Sequence, residues 1–142
     1  MATREQVNGL YSFALIDSAA LVPHERVDQE RLLLLVREIA RDGVLHSPVM
    51  VDRSSLVILD GHHRVNALRL LGCHLTPVYL VDYGHPSITV SQWRDDIRVN
   101  KETVIKAGLS GNLYPPRASK HEWGLPPGKR PVPLSLLRIP AI

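Results

Sequence analysis

The sequence predicts a small α+β domain, in which a few-stranded mixed sheet is packed by helices and an extended proline-rich arm follows. Three observations predict it. At 142 residues the chain has the length of one ordinary domain with a modest core. Between residues 28 and 81 the hydrophobic period switches in the order helix, strand, strand, helix, strand. Seven of the eleven prolines fall after residue 114, where periodicity fades, so residues 1–114 read as the domain and 115–142 as an arm. Such an arm either belongs to the same domain, wrapping its surface in extended form, or is partly disordered.

Residues 10–22 (LYSFALIDSAALV) are mostly apolar and rich in β-formers, which predicts a first strand and a short connection. Pro23 and His24 break that pattern. Asp28 is placed to cap a helix over DQERLLLLVREIARDG. Leu32, Leu35, Val36 and Ile39 share one face of it, and Gly43 ends it. Residues 48–51 predict a short strand, Asp52 to Ser55 a turn, and Leu56 to Leu59 a second strand. A helix with Val65, Leu68 and Leu71 on its buried stripe then runs to Gly72, and Pro77 to Val81 forms a third strand. Ile88 and Val90 alternate with polar residues up to Trp93, and Asn100 caps a last helix ending near Gly108 or Gly111.

Composition excludes several classes. With 44% hydrophobic and 22% charged residues the chain is globular rather than disordered. No apolar run approaches the roughly 20 residues a membrane span needs, and MATREQVNGL has no apolar signal core, so a cytoplasmic protein is expected. The single cysteine, Cys73, fits a reducing compartment and reads as a small apolar residue near a helix end. The net charge of +3 permits anionic ligands without demanding nucleic acid, since much of it comes from Arg117, Lys120, Lys129, Arg130 and Arg138 in the arm.

The chemically loaded stretch is Asp60-Gly61-His62-His63-Arg64, at a strand-to-helix junction. The first backbone N–H groups of a helix lack internal partners and carry the positive end of its dipole, which suits phosphate. Gly61 lets a ligand approach the backbone, Arg64 offers a planar cation, and Asp60 can cap the helix, bind a metal ion or hold a substrate hydroxyl. Adjacent histidines point to different sides of a helix, which argues against His62 and His63 chelating one metal ion. A capped helix with incidental histidines is the plain alternative.

Elsewhere the residues leave both readings open. Glu30 suits a helix start as an ordinary first-turn acid. His46 and Ser47 read as loop residues, while Tyr83 and Trp93 serve equally as rim aromatics or packing residues. Pro115-Pro116-Arg117-Ala118-Ser119-Lys120-His121 joins a rigid diproline to two cations, a hydroxyl and a histidine, a composition that suits an anion-binding arm. No GxxxxGK[ST], GxGxxG, HExxH or GxSxG motif is present.

LVPHERVDQERL, ARDGVLHSPVMVD and VILDGHHRVNALRLLG, in that order, resemble the ParB/sulfiredoxin superfamily. Within it, DGHHR followed by VYLVDY and later VNKETVIKAGLSGNLYPPRASKH is similar to the free L-serine kinases. The resemblance implies phosphoryl transfer from ADP or ATP to the hydroxyl of free L-serine, with magnesium held by nucleotide phosphates and Asp60 as one candidate ligand. It implies Glu30 as general base, Asp60 at the centre of the site, and Gly61, His62, His63 and Arg64 as the phosphate-binding turn. Ser47, Trp93, Ser119, Lys120 and His121 are implied as the amino-acid grip. Ser119 and Lys120 stand where the subgroup has a threonine and an arginine, which leaves a related hydroxylated acceptor open. Nucleotide and a small amino acid are the partners expected, with nucleic acid and membrane not expected and the oligomeric state open. The alternative is a nucleotide-binding ParB-like DNA-binding or regulatory module without kinase activity, although no helix-turn-helix signal follows the domain. A sulfiredoxin-like reductase would need a cysteine in the turn that here carries His62 and His63.

Overall fold

A computed structural model describes residues 4–139. Its frame is a five-stranded mixed sheet of β1 (Glu5–Gln6), β2 (Tyr11–Asp17), β4 (Val49–Asp52), β5 (Ile58–Asp60) and β6 (Leu75–Val81), in the order β1-β2-β6-β4-β5. β6 runs antiparallel to β2, from Tyr11 opposite Val81 to Asp17 opposite Leu75, and parallel to β4. Two small antiparallel pairs complete the strands: β3 (Val44–Leu45) with β9 (Val132–Pro133), and β7 (Thr89–Gln92) with β8 (Ser119–Glu122).

The central strands are buried on both faces, which is why they read as nearly continuous apolar runs. Val49, Val51, Val78 and Leu80 point to one face and meet Val65 of α2 (His62–Leu70). Met50, Tyr79 and Val81, one residue out of phase, point to the other and meet Val104 of α3 (Lys101–Ser110). α1 (Gln29–Asp42) packs on α2 through Leu32 and Ile39, and α4 (Leu134–Leu137) adds Leu134 and Leu137 to that layer. The molecule is therefore a sheet between two helical layers.

Helix boundaries follow local chemistry. Asp28 caps α1 by accepting from Arg31 N, and Gly43 ends it in the left-handed region. α3 starts at Asn100 with a reciprocal capping box and runs past Gly108 to Gly111. Gly108 is a contact residue rather than a stop, because a Cβ there would lie 2.8 Å from Val57 Cγ2. No helix among the described residues is long and apolar enough to cross a membrane.

Over residues 115–139 the arm packs as part of the same domain, in short elements rather than one extended wrap, and residues 140–142 lie outside the described ones. Ala118 and Ser119 are buried as the arm enters β8, and Val132 pairs with Leu45 in β9. Leu134 and Leu137, spaced for one helical face, are buried as well. Among the described prolines of the arm, Pro133 ends β9 opposite Val44 and is the N-cap residue of α4, and the others lie outside these short elements.

Candidate active site

A cleft of about 810 Å³ opens where α1, the β5–α2 junction and the arm meet. Asp60 to Arg64 line it from the junction, Arg31, Leu34, Leu35 and Glu38 from α1, and Arg117 and Ser119 from the arm. Trp93 and Arg94 contribute from the segment after β7, and Glu25 from the loop before α1.

The junction brings a helix start to this cleft without a cap. Gly61, the N-cap residue of α2, has a φ of 112° and offers no side chain. The first bond of the helix runs from Val65 N to Gly61 O, so the N–H groups of His62, His63 and Arg64 have no acceptor within it. Glycine is required here: a Cβ would lie 2.9 Å from Arg64 Nη2 and 3.0 Å from Val49 Cγ1.

The side chains after Gly61 brace the site. His62 is buried and its Nε2 accepts from the backbone N–H of His24 at 3.1 Å and of Glu25 at 3.3 Å. Burial and the neighbouring His24 push its pKa down to about 3. His63 Nε2 likewise accepts from Asp28 N at 3.0 Å. Arg64 Nη1 donates to the carbonyls of Ser47 at 2.9 Å and Pro48 at 2.8 Å, while Nη2 lies 3.7 Å from Asp60 Oδ2. At this junction the phosphate-competent groups are therefore chiefly backbone N–H, and the two imidazoles hold the loop that precedes α1.

That loop carries the carboxylate of the cleft. Glu25 Oε1 accepts from Arg117 N at 3.1 Å. Its Oε2 accepts from Ser119 N at 3.2 Å and Ser119 Oγ at 2.6 Å, and lies 3.3 Å from His24 Nε2. Burial works to raise the Glu25 pKa, but the bonds from His24 and Ser119 outweigh it and hold the group down to about 2. Glu25 is thus ionised, with one oxygen carrying a single bond and able to accept another. Beneath it His24 is fully buried, its Nδ1 2.6 Å from Ile58 O and its Nε2 2.9 Å from Ser119 Oγ.

Among the residues expected at the site, the structure gathers Asp60, Gly61, His62, His63, Arg64, Trp93 and Ser119 around the cleft. It does not bring Glu30 there. Glu30 is exposed in the first turn of α1, whereas Glu25 lines the cleft. Ser47 serves Arg64 through its backbone carbonyl and does not line the cleft. On β8 the side chains alternate, so Ser119 lines the cleft while Lys120 lies 4.8 Å over the Trp93 ring. His121 bonds Tyr83 at 2.9 Å and stacks on Trp123, and burial and His24 push its pKa down to about 3. Sequence reasoning missed Glu25 and His24, and reached Arg117 only as a cation of the anion-binding arm. The signal available was Pro23-His24-Glu25, an acid in a non-periodic loop just before a capped helix.

No protein-family model matches the chain. Over 107 residues it is 34% identical to a ParB-like protein of Sulfolobus acidocaldarius, covering 66% of this chain and 52% of that one. Over 103 residues it is 32% identical to an ATP-dependent L-serine kinase of Staphylothermus marinus, covering 67% and 41%. Over 120 residues it is 26% identical to an ADP-dependent L-serine kinase of Thermococcus kodakarensis, covering 79% and 50%. The chain spans about half the length of these relatives. Among solved structures it superposes on a free serine kinase in complex with AMP with a TM-score of 0.80 at 17% identity, covering 94% of this chain and 96% of that one. It superposes on truncated SbnI from Staphylococcus aureus with a TM-score of 0.71 at 14% identity, covering 89% of each. The α+β fold expected from the sequence is the fold of these structures.

Proposed function

We propose, from the premise that this chain is a homologue of archaeal L-serine kinases and has the serine-kinase fold, that it transfers a phosphoryl group from ADP or ATP to the hydroxyl of free L-serine. The observation that carries the reading is one cleft holding both an uncapped helix N-terminus and an ionised carboxylate. The N–H groups at the start of α2 take nucleotide phosphates, where fixed donors and the helix dipole stabilise charge spread over phosphoryl oxygens. Glu25, rather than Glu30, receives the acceptor's proton on Oε1 as the new phosphorus–oxygen bond forms. In a loose phosphoryl-transfer transition state proton removal is late, so a weakly basic carboxylate suffices if it is well placed. His62 and His63 place it.

Arg31, Arg94 and Arg117 at the cleft add cationic charge for the anionic reactants. Trp93 and Ser119 border the acceptor, with Lys120 steadying the Trp93 ring from outside. Magnesium fits a particular arrangement. Among the described residues no group of three or more His, Cys, Asp or Glu side chains could hold an ion. A magnesium ion commonly binds through phosphates, waters and one or two carboxylates, and Asp60, exposed at the cleft, suits that role. When bound, the ion neutralises phosphate charge.

Incubation with L-serine, magnesium and either ATP or ADP should yield O-phospho-L-serine by mass spectrometry. Absence of product with both donors, in protein shown to bind nucleotide, would remove the reading. The ParB-like relative favours a second one, a nucleotide-binding module without transfer activity. Sequence-selective, salt-dependent DNA retardation by a catalytically silent protein would establish it.

A further inference from the structure

We infer that Ser119 is itself a phosphoryl acceptor, so that with nucleotide bound and no amino acid present the chain phosphorylates its own Ser119. This rests on the kinase reading. A hydroxyl needs three things to serve: contact with an ionised carboxylate, a fixed position, and a place in the cleft that holds the donor phosphates. Ser119 has all three. Its Oγ lies 2.6 Å from Glu25 Oε2, it is fixed from below by His24 Nε2 at 2.9 Å, and it lines the same cleft as Gly61. A serine of the chain thus makes to Oε2 the kind of bond that free serine would make to Oε1.

A short hydroxyl–carboxylate contact is not sufficient alone. Ser55 Oγ lies 2.5 Å from Asp52 Oδ2, but both residues sit at the β4–β5 turn, outside the cleft. Position relative to the uncapped start of α2 separates the two serines.

In the step, Ser119 Oγ attacks the terminal phosphorus of the nucleotide and an oxygen–phosphorus bond forms. The bond from that phosphorus to the bridging oxygen breaks, the nucleotide leaves one phosphate shorter, and the Oγ proton passes to Glu25. The product places a dianion beside a carboxylate that has lost its hydroxyl donor. Phosphorylated chain is therefore inactive toward free serine, and free serine protects Ser119 by competing for the terminal phosphate of the donor.

The test incubates the full chain with magnesium and ATP, or magnesium and ADP, with and without L-serine, and follows intact mass and phosphopeptide position. The expected result is one added phosphate per chain on Ser119, suppressed by L-serine, retained in Ser55→Ala and absent from Ser119→Ala. Peptide mapping of the wild type locates the group whether or not Ser119→Ala folds. Free phosphoserine without protein phosphorylation, or phosphate on another residue, overturns the inference and leaves the kinase reading standing. Phosphate on Ser119 without free phosphoserine upholds the inference and overturns L-serine as acceptor. Neither product overturns both.

Discussion

Two helices of this chain begin in opposite ways. α3 starts with a closed set of bonds: Asn100 Oδ1 accepts from Thr103 N at 2.8 Å, and Thr103 Oγ1 accepts from Asn100 N at 2.9 Å. α2 starts at Gly61 with no side-chain acceptor, and its first two side chains are turned to serve another segment. Polar residues abound at both starts, so supply is not the reason. The chain completes the helix that packs on the far face of the sheet and leaves incomplete the one that opens into the cleft. A missing cap is informative when the residue that causes it could not be replaced without a clash.

The comparison breaks most sharply at the carboxylate beside α2. Glu25→Gln should lower phosphoserine formation by about 10²–10⁴-fold while nucleotide affinity, measured by calorimetry, stays unchanged. Glu30→Gln should leave turnover within about twofold, since that side chain lies outside the cleft. Equal losses in the two variants would return the role to Glu30.

Acid should weaken the start of α2 before that of α3, because α2 begins at a buried neutral imidazole. His62 has a folded pKa of about 3 against an ordinary 6.5, so between those values the unfolded chain binds the extra proton. Stability is full above pH 6.5 and falls as pH drops toward 3. From pH 7 to pH 5 the loss from His62 is about 2 kcal/mol, visible as a lower Tm, and His62→Gln should flatten that slope. An unchanged slope in the variant would refute the assignment.

Gly61→Ala should cost about 1–3 kcal/mol from the positive φ, with further loss from contact with Val49, and should weaken nucleotide binding. Asn100→Ala should cost about 1 kcal/mol and leave nucleotide binding alone. Matched effects on nucleotide affinity would erase the distinction between the two helix starts.

Much of the fold was legible because its determinants are local. Asp28 and Gly43 bound α1, and the phase of Val49 through Val51 and Val78 through Val81 gives the two faces of the sheet. The site was legible at Asp60 to Arg64, where the helix start is written in five consecutive residues. It was not legible at Glu25, whose place in the cleft depends on His62 and Ser119, partners distant in the chain. Glu30 is the general base only by the resemblance; read from the residues it is an ordinary first-turn acid, a placement that needs no cleft. The short elements of the arm were hidden for a related reason: β8 and β9 each pair with segments far upstream, a cause that no window of the arm contains.

The two imidazoles that begin α2 have a thermodynamic consequence. By accepting the N–H groups of His24, Glu25 and Asp28, they join the helix start and the carboxylate loop into one mechanical piece. An anion arriving at the first turn of α2 and a hydroxyl arriving at Glu25 then act on the same bonds. Reciprocity requires that whatever factor the first applies to the affinity of the second, the second applies to the first. On the kinase reading, the coupling between the two reactants is thus carried by the His62 and His63 side chains, neither of which need touch the transferred group.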